Sequence, residues 1–147
     1  MRRPTTTKTM FKLDADMMKL NLLVFFICSC LILSCKPSIN SGELYGKWDY
    51  IKIEHPTHDR PDIAAAELKQ QDASIEFLKD NTFVIMWGGK ALSKGKFTAD
   101  GDKIQISEDL PDGTIRSFAF YITKASATEI TFETKANENS RVTAVKE

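Results

Sequence analysis

From residue 44 onward, apolar positions recur at every second residue in short runs. Ile75 and Phe77 alternate with polar neighbours, as do Phe83, Ile85 and Trp87, then Ile104 and Ile106, then Phe118, Phe120 and Ile122, then Ile130 and Phe132. A period of two is the signature of a strand with one face buried. Between the runs stand turn-forming groups: Lys79-Asp80-Asn81, Gly88-Gly89-Lys90, Asp100-Gly101 and Pro111-Asp112-Gly113. The pattern predicts strands over Leu44–Glu54, Ser74–Leu78, Thr82–Trp87, Leu92–Thr98, Lys103–Ser107, Thr114–Thr123, Glu129–Thr134 and Arg141–Lys146. Hairpins at this even spacing point to an all-β sandwich or barrel.

One segment departs from the alternation. Pro61-Asp62-Ile63-Ala64-Ala65-Ala66-Glu67-Leu68-Lys69-Gln70 has high helix propensity, with Asp62 placed to cap it and Ile63 and Leu68 to pack one side. The expectation is an antiparallel up-and-down barrel of about eight strands, with one short helix between the first two.

The start of the chain has a different pattern. Lys19 precedes an apolar run of about a dozen residues, Leu22 to Leu33, that ends in Ile32-Leu33-Ser34-Cys35. The run is too short to cross about 30 Å of hydrocarbon comfortably, and suits the core of a secretion signal. Its end resembles a lipobox, in which a small residue precedes a cysteine that becomes lipidated. Residues 1–34 are therefore read as a lipoprotein signal peptide, Cys35 as the lipidation site, 35–43 as a small polar tether, and 44–147 as the folded domain. Arg2, Arg3, Asp14 and Asp16 fit a signal poorly, which makes Met17 or Met18 the expected translation start. Lys36 after the cysteine resembles the outer-membrane sorting pattern, so the expected location is the cell envelope, at the outer membrane.

Charge and cysteine usage change with this division. The chain holds 20 basic and 20 acidic residues, but residues 1–34 take five basic and two acidic ones, leaving 15 against 18, a net of −3. A mildly acidic domain without a basic cluster is not expected to bind nucleic acid. Cys28 and Cys30 leave with the signal, so the mature chain has no second cysteine for a disulfide.

Gly46-Lys47-Trp48 resembles the Gly-x-Trp signature that opens the first strand of lipocalins. Together with Ile75-x-Phe77, Asp80-Asn81-Thr82-Phe83, Gly95-x-Phe97 and Gly101-Asp102-x-Ile104, it resembles the lipocalin-like domains of Bacteroidetes lipoproteins. The resemblance implies a barrel that holds a small hydrophobic ligand, and a basic residue of the last strand against the tryptophan. Pairing of the first and last strands would bring Lys146 there rather than Arg141.

Candidate chemistry is sparse. His55-Pro56-Thr57-His58-Asp59 is the one cluster of metal-ligating types, and a polar surface connection is the plainer reading. Glu108, Asp109 and Asp112 lack the spacing of a calcium loop and read as a hairpin turn. Neither a nucleophile elbow nor a phosphate-cradling loop is present, so no enzyme activity and no cofactor are expected. The aromatic inventory says more. Trp48, Tyr50, Phe77, Phe83, Ile85, Trp87, Phe97, Phe118, Phe120 and Phe132 are candidates to face the barrel interior, either filling it or lining a ligand cavity. Ile51, Ile53, Val84 and Met86 are expected on the outer face, as apolar surface for a protein partner. Noncatalytic ligand binding and an accessory role in an envelope complex are thus the two functional expectations.

Overall fold

The computed structural model describes residues 38–57, 59–135 and 139–147. The signal segment, Cys35 and His58 lie outside the described residues. Within them, nine antiparallel strands form one sheet: β1 (Gly46–Glu54), β2 (Ile63–Ala64), β3 (Ser74–Phe77), β4 (Thr82–Trp87), β5 (Lys90–Asp100), β6 (Lys103–Asp109), β7 (Ile115–Ala125), β8 (Glu129–Thr134) and β9 (Ser140–Lys146). Each long strand pairs with its sequence neighbour, and β9 returns to β1, from Trp48–Lys146 to Glu54–Arg141. The two-residue β2 is an appendage on β1 at Lys52–Ile53, so the closed ring has eight strands. This is the up-and-down barrel that the alternation predicts; closure leaves no full-length sheet edge.

Among the described residues, two short helices accompany the barrel: α1 (Ser41–Leu44) before β1 and α2 (Ala65–Gln70) after it. The predicted helix is therefore present but shorter. Ile63 and Ala64 pair with β1 as strand, and Asp62 accepts a hydrogen bond from the His55 amide (3.2 Å) rather than capping the helix. Beyond the Asp49–Ser74 pair, β1 and β3 part, and β2 with α2 occupy the connection between them, where Leu68 is fully buried in the core.

The start of the domain also differs from expectation. Residues 39–44, read as tether and first strand, are folded. Asn40 Oδ1 accepts from the Glu43 amide (3.2 Å) while Glu43 Oε2 accepts from the Asn40 amide (2.9 Å), a reciprocal capping box around one turn of helix. Ile39 and Leu44 are buried, and the Ile39 amide donates to Gly101 O (2.9 Å). This end of the barrel, with the Asp100–Asp102 turn, is closed.

Gly46 sits at φ +119°, a conformation that β-carbon sterics deny other residues, and it swings the chain from α1 into β1. Trp48 follows with no exposed surface, its Nε1 donating to Leu44 O (2.6 Å). Lys146 Nζ lies 5.0 Å from the centre of the Trp48 ring and donates to Glu43 O (3.0 Å). Together, the two donors satisfy carbonyls that a helix C-terminus leaves open.

Candidate functional site

The strands carry their side chains alternately inward and outward, and the ten candidates named from sequence lie in the core or packed against it. Their environments divide along the barrel axis. Near the closed end, Trp48, Phe77, Phe83 and Phe97 are at most 1% exposed, and Phe77 meets Phe97 edge-on at 4.7 Å. Tyr50, Phe120 and Phe132 are buried further along, with Phe120 tilted on Phe132 at 4.6 Å. Burial pushes the Tyr50 phenol well above its ordinary pKa, because the phenolate would lose its hydration. Ile85, Trp87 and Phe118 are only partly buried, and stand toward the other end. The lower half of the barrel is thus filled, and the half-exposed apolar residues gather at the open end.

Among the polar side chains at that end are Glu108, Arg116 and Ser93. Glu108 continues the Ile104, Ile106 alternation and so faces inward, only 6% exposed. Its register partner on β7 is Arg116, whose Nε and Nη2 both donate to Glu108 Oε2, at 2.7 and 2.6 Å. The guanidinium lies 5.6 Å from the centre of the Phe118 ring, with most of its side chain in solvent. Ser93, opposite Ile85 on the β4–β5 pair, keeps its Oγ buried without a hydrogen-bond partner among the described residues. Gly95 makes the arrangement possible. A β-carbon there would stand 2.0 Å from Ser107 O and 2.9 Å from Glu108 Cα, so β5 can approach β6 this closely at position 95 only with a glycine.

Glu108, expected in one turn with Asp109 and Asp112, stands apart from Asp112 in the structure. Glu108 points into the barrel, whereas Asp112 closes its own turn by accepting from Thr114 Oγ1 (2.7 Å) and the Thr114 amide (3.0 Å). These bonds hold the Asp112 carboxyl below the usual carboxylate range, the hydroxyl more than the amide. No grouping of three or more metal-ligating residues occurs among the described residues. The signal for Glu108 was available: strict alternation from Ile104, with an arginine equally far beyond the Pro111-Asp112-Gly113 turn.

The expected outer apolar patch is also rearranged. A bulge between Tyr50 and Lys52 adds a residue to β1 against β9, so Ile53 turns inward and is buried while Ile51 stays partly exposed. Val84 and Met86 remain partly exposed on β4. A second bulge, on β5, leaves Leu92 without a register partner between Ser93 and Ala91. Leu92 is 67% exposed and Ile115, at the start of β7, is 66% exposed. Both stand at the open end, on neighbouring hairpins.

Past the Gly95–Glu108 pair, β5 and β6 separate. The resulting cleft, about 620 Å³ and open to solvent, runs from Ala91–Lys94 to Glu108–Pro111. A second cleft of about 410 Å³ lies where β7 outruns β8, between Phe118, Tyr121 and Lys135, with Lys135 Nζ 4.1 Å from the centre of the Tyr121 ring. No protein-family model matches this sequence, and no curated protein matches it significantly.

Proposed function

We propose that the protein is a lipid-anchored, noncatalytic binding module of the cell envelope, whose barrel takes a small hydrophobic ligand at its open end. The observation that carries this reading is the uneven filling of the interior. Trp48, Phe77, Phe83 and Phe97 are packed, whereas inward-facing Ile85, Trp87 and Phe118 keep exposed surface, Phe118 against the Arg116 guanidinium that pairs with Glu108. Apolar rings beside a few convergent polar groups are the usual make-up of a small-molecule site. The Gly-x-Trp opening and the seat of Lys146 over Trp48 support a lipocalin-like ancestry. Anchoring rests on Cys35, through the lipobox that precedes it.

Titration with an environment-sensitive fluorescent fatty acid tests the site. Saturable binding with a change in tryptophan emission is expected, and Trp87→Ala should weaken it by about five- to thirtyfold if one aromatic contact is lost. Absence of saturable binding by fatty acids, tetrapyrroles and aromatic dyes alike would sink the ligand reading. For the anchor, Cys35→Ser should leave the detergent phase for the aqueous phase; an unchanged partition would count against lipidation.

A second reading, an accessory subunit of an envelope complex, is favoured by one observation. Leu92 and Ile115, two large apolar side chains about two-thirds exposed, stand on adjacent hairpin tips rather than scattered over the surface.

A further inference from the structure

The cleft between β5 and β6 is bounded by strand segments that lack a partner on one side. β5 pairs with β4 from Thr82–Lys96 out to Trp87–Lys90, but with β6 only from Gly95 onward. β6 in turn pairs with β7 as far as Asp109–Ile115. Antiparallel strands direct the amide and carbonyl of successive residues to opposite sides. The Phe97 amide bonds to Asn81 O, on the β4 side, so by alternation the backbone groups of Lys94 turn toward β6. The Leu110 amide bonds to Thr114 O, on the β7 side, so those of Asp109 turn toward β5. The two sets face one another across the cleft with no strand between them among the described residues.

We propose that this slot binds an extended peptide segment of a partner protein, one carrying apolar and acidic side chains in alternation, by strand pairing with Lys90–Lys94. The proposal gives the accessory-subunit reading a site, and is independent of the hydrophobic-ligand reading. Three observations choose the occupant. The orphan groups are backbone donors and acceptors on a strand edge, a pattern that an extended backbone matches and a small apolar molecule does not. Leu92, 67% exposed, offers apolar surface at the β5 lip, Leu110 and Pro111 line the cleft on the β6 side, and Ile115 stands one strand beyond, opposite Asp109. Lys90 and Lys94 are exposed on the β5 lip, and no carboxylate pairs with either among the described residues. Lysine on an edge opposes pairing with a second copy of the same edge and favours an acidic partner. On the opposite lip, Glu108 is already neutralised by Arg116, which leaves Asp109 as the exposed carboxylate lining the cleft against the two lysines.

The test uses the full protein and three short peptides blocked at both ends, in which valine alternates with glutamate, serine or lysine. Saturable binding is expected in the order glutamate, serine, lysine, with the amides of Lys94 and Asp109 gaining protection from hydrogen exchange. N-methylation of alternate peptide amides on the β5-facing side should weaken binding at least about tenfold, since two or more backbone hydrogen bonds go. Lys94→Glu should reverse the preference between the glutamate and lysine peptides, an effect that fades with salt. No binding by any of the peptides, or N-methylated peptides that bind as well as their parents, overturns the proposal. So does a concentration-dependent dimer that Leu92→Ser and Ile115→Ser abolish, because the occupant is then a second copy. A protein that binds the fatty acid but no peptide loses the slot and keeps the mouth; the converse keeps the slot alone.

Discussion

Trp48 touches most of what closes the barrel: the last carbonyl of α1 through its Nε1, Lys146 over its ring, and the packed aromatics of the lower core. Truncation leaves a cavity and an unsatisfied carbonyl together. Trp48→Ala should cost about 3–5 kcal/mol, a large part of a small domain's stability. Urea melts would register it; a midpoint within error of wild type would show that the surrounding residues collapse into the gap. Asp80 and Asp112 offer a subtler reading at the same scale. Thr82 Oγ1 donates to Asp80 (2.6 Å) as Thr114 Oγ1 does to Asp112, and each bond favours the charged carboxylate, lowering its pKa. A carboxyl whose pKa is lower folded than unfolded adds stability above the unfolded value, and that stability is lost as pH falls through the folded value. Both groups are on the surface, so the effect is small. Carbon-detected titration should find the two carboxyls below their peers, and Thr82→Val or Thr114→Val should return each toward the ordinary value. A carboxyl that titrates normally in the wild type would refute its turn.

Among the elements, the β5–β6 pair is held to a narrow tolerance by Gly95. A methyl group at that position meets backbone, which cannot rotate away as a side chain could. Gly95→Ala should therefore part the strands and destabilise the barrel by about 1–3 kcal/mol or more, with Glu108 and Arg116 displaced. Loss of exchange protection confined to β5 and β6 would be the local signature, and a variant as stable as wild type would refute the contact. The strands themselves were legible because their alternation is strict: Ile104, Ile106 and Phe118, Phe120, Ile122 fall on the inner face as read. What alternation could not reveal was where it slips. In Tyr50-Ile51-Lys52-Ile53 the apolar residues fit either register, and only pairing with β9 fixes the bulge that sends Ile53 inward. The same holds for Leu92 on β5. The α1 turn was missed for another reason. Its capping residues Asn40 and Glu43 are readable, but a four-residue helix has no periodicity to announce it, and its stability comes from docking Ile39 and Leu44. The site residues were legible as inward-facing aromatics. How many are packed and how many half exposed depends on where neighbouring strands end, which no local pattern encodes.

At the scale of the whole molecule, the two ends of the barrel have different uses. The closed end carries α1, Ile39 and the β5–β6 turn; the open end carries Trp87, the Glu108–Arg116 pair and the slot. If Cys35 bears the proposed lipid, only Lys36 and Pro37 separate it from Ser38, and an extended chain of three residue steps reaches only about 10–11 Å. Ser38 is followed at once by Ile39, bonded to Gly101 at the closed end. Such a leash holds the closed end toward the lipid headgroups and points the mouth away from them. The strands of the wall are mostly six to eleven residues long, so at about 3.3 Å per residue and a barrel tilt of about 40° the two ends stand roughly 15 Å or more apart. A ligand or peptide would then arrive from the aqueous side and not directly from the bilayer. The arrangement can be measured, because a lipidated mature chain has no other cysteine and single labels are clean. Spin labels at Asp100→Cys, on the closed end, and Pro111→Cys, on the open end, should respond differently to a lipid with a paramagnetic headgroup. Strong relaxation at position 100 and little at 111 is the expected result. Equal relaxation at both would mean that the barrel lies on its side against the membrane, and stronger relaxation at 111 would place the mouth on the lipid and make the bilayer the source of what it binds.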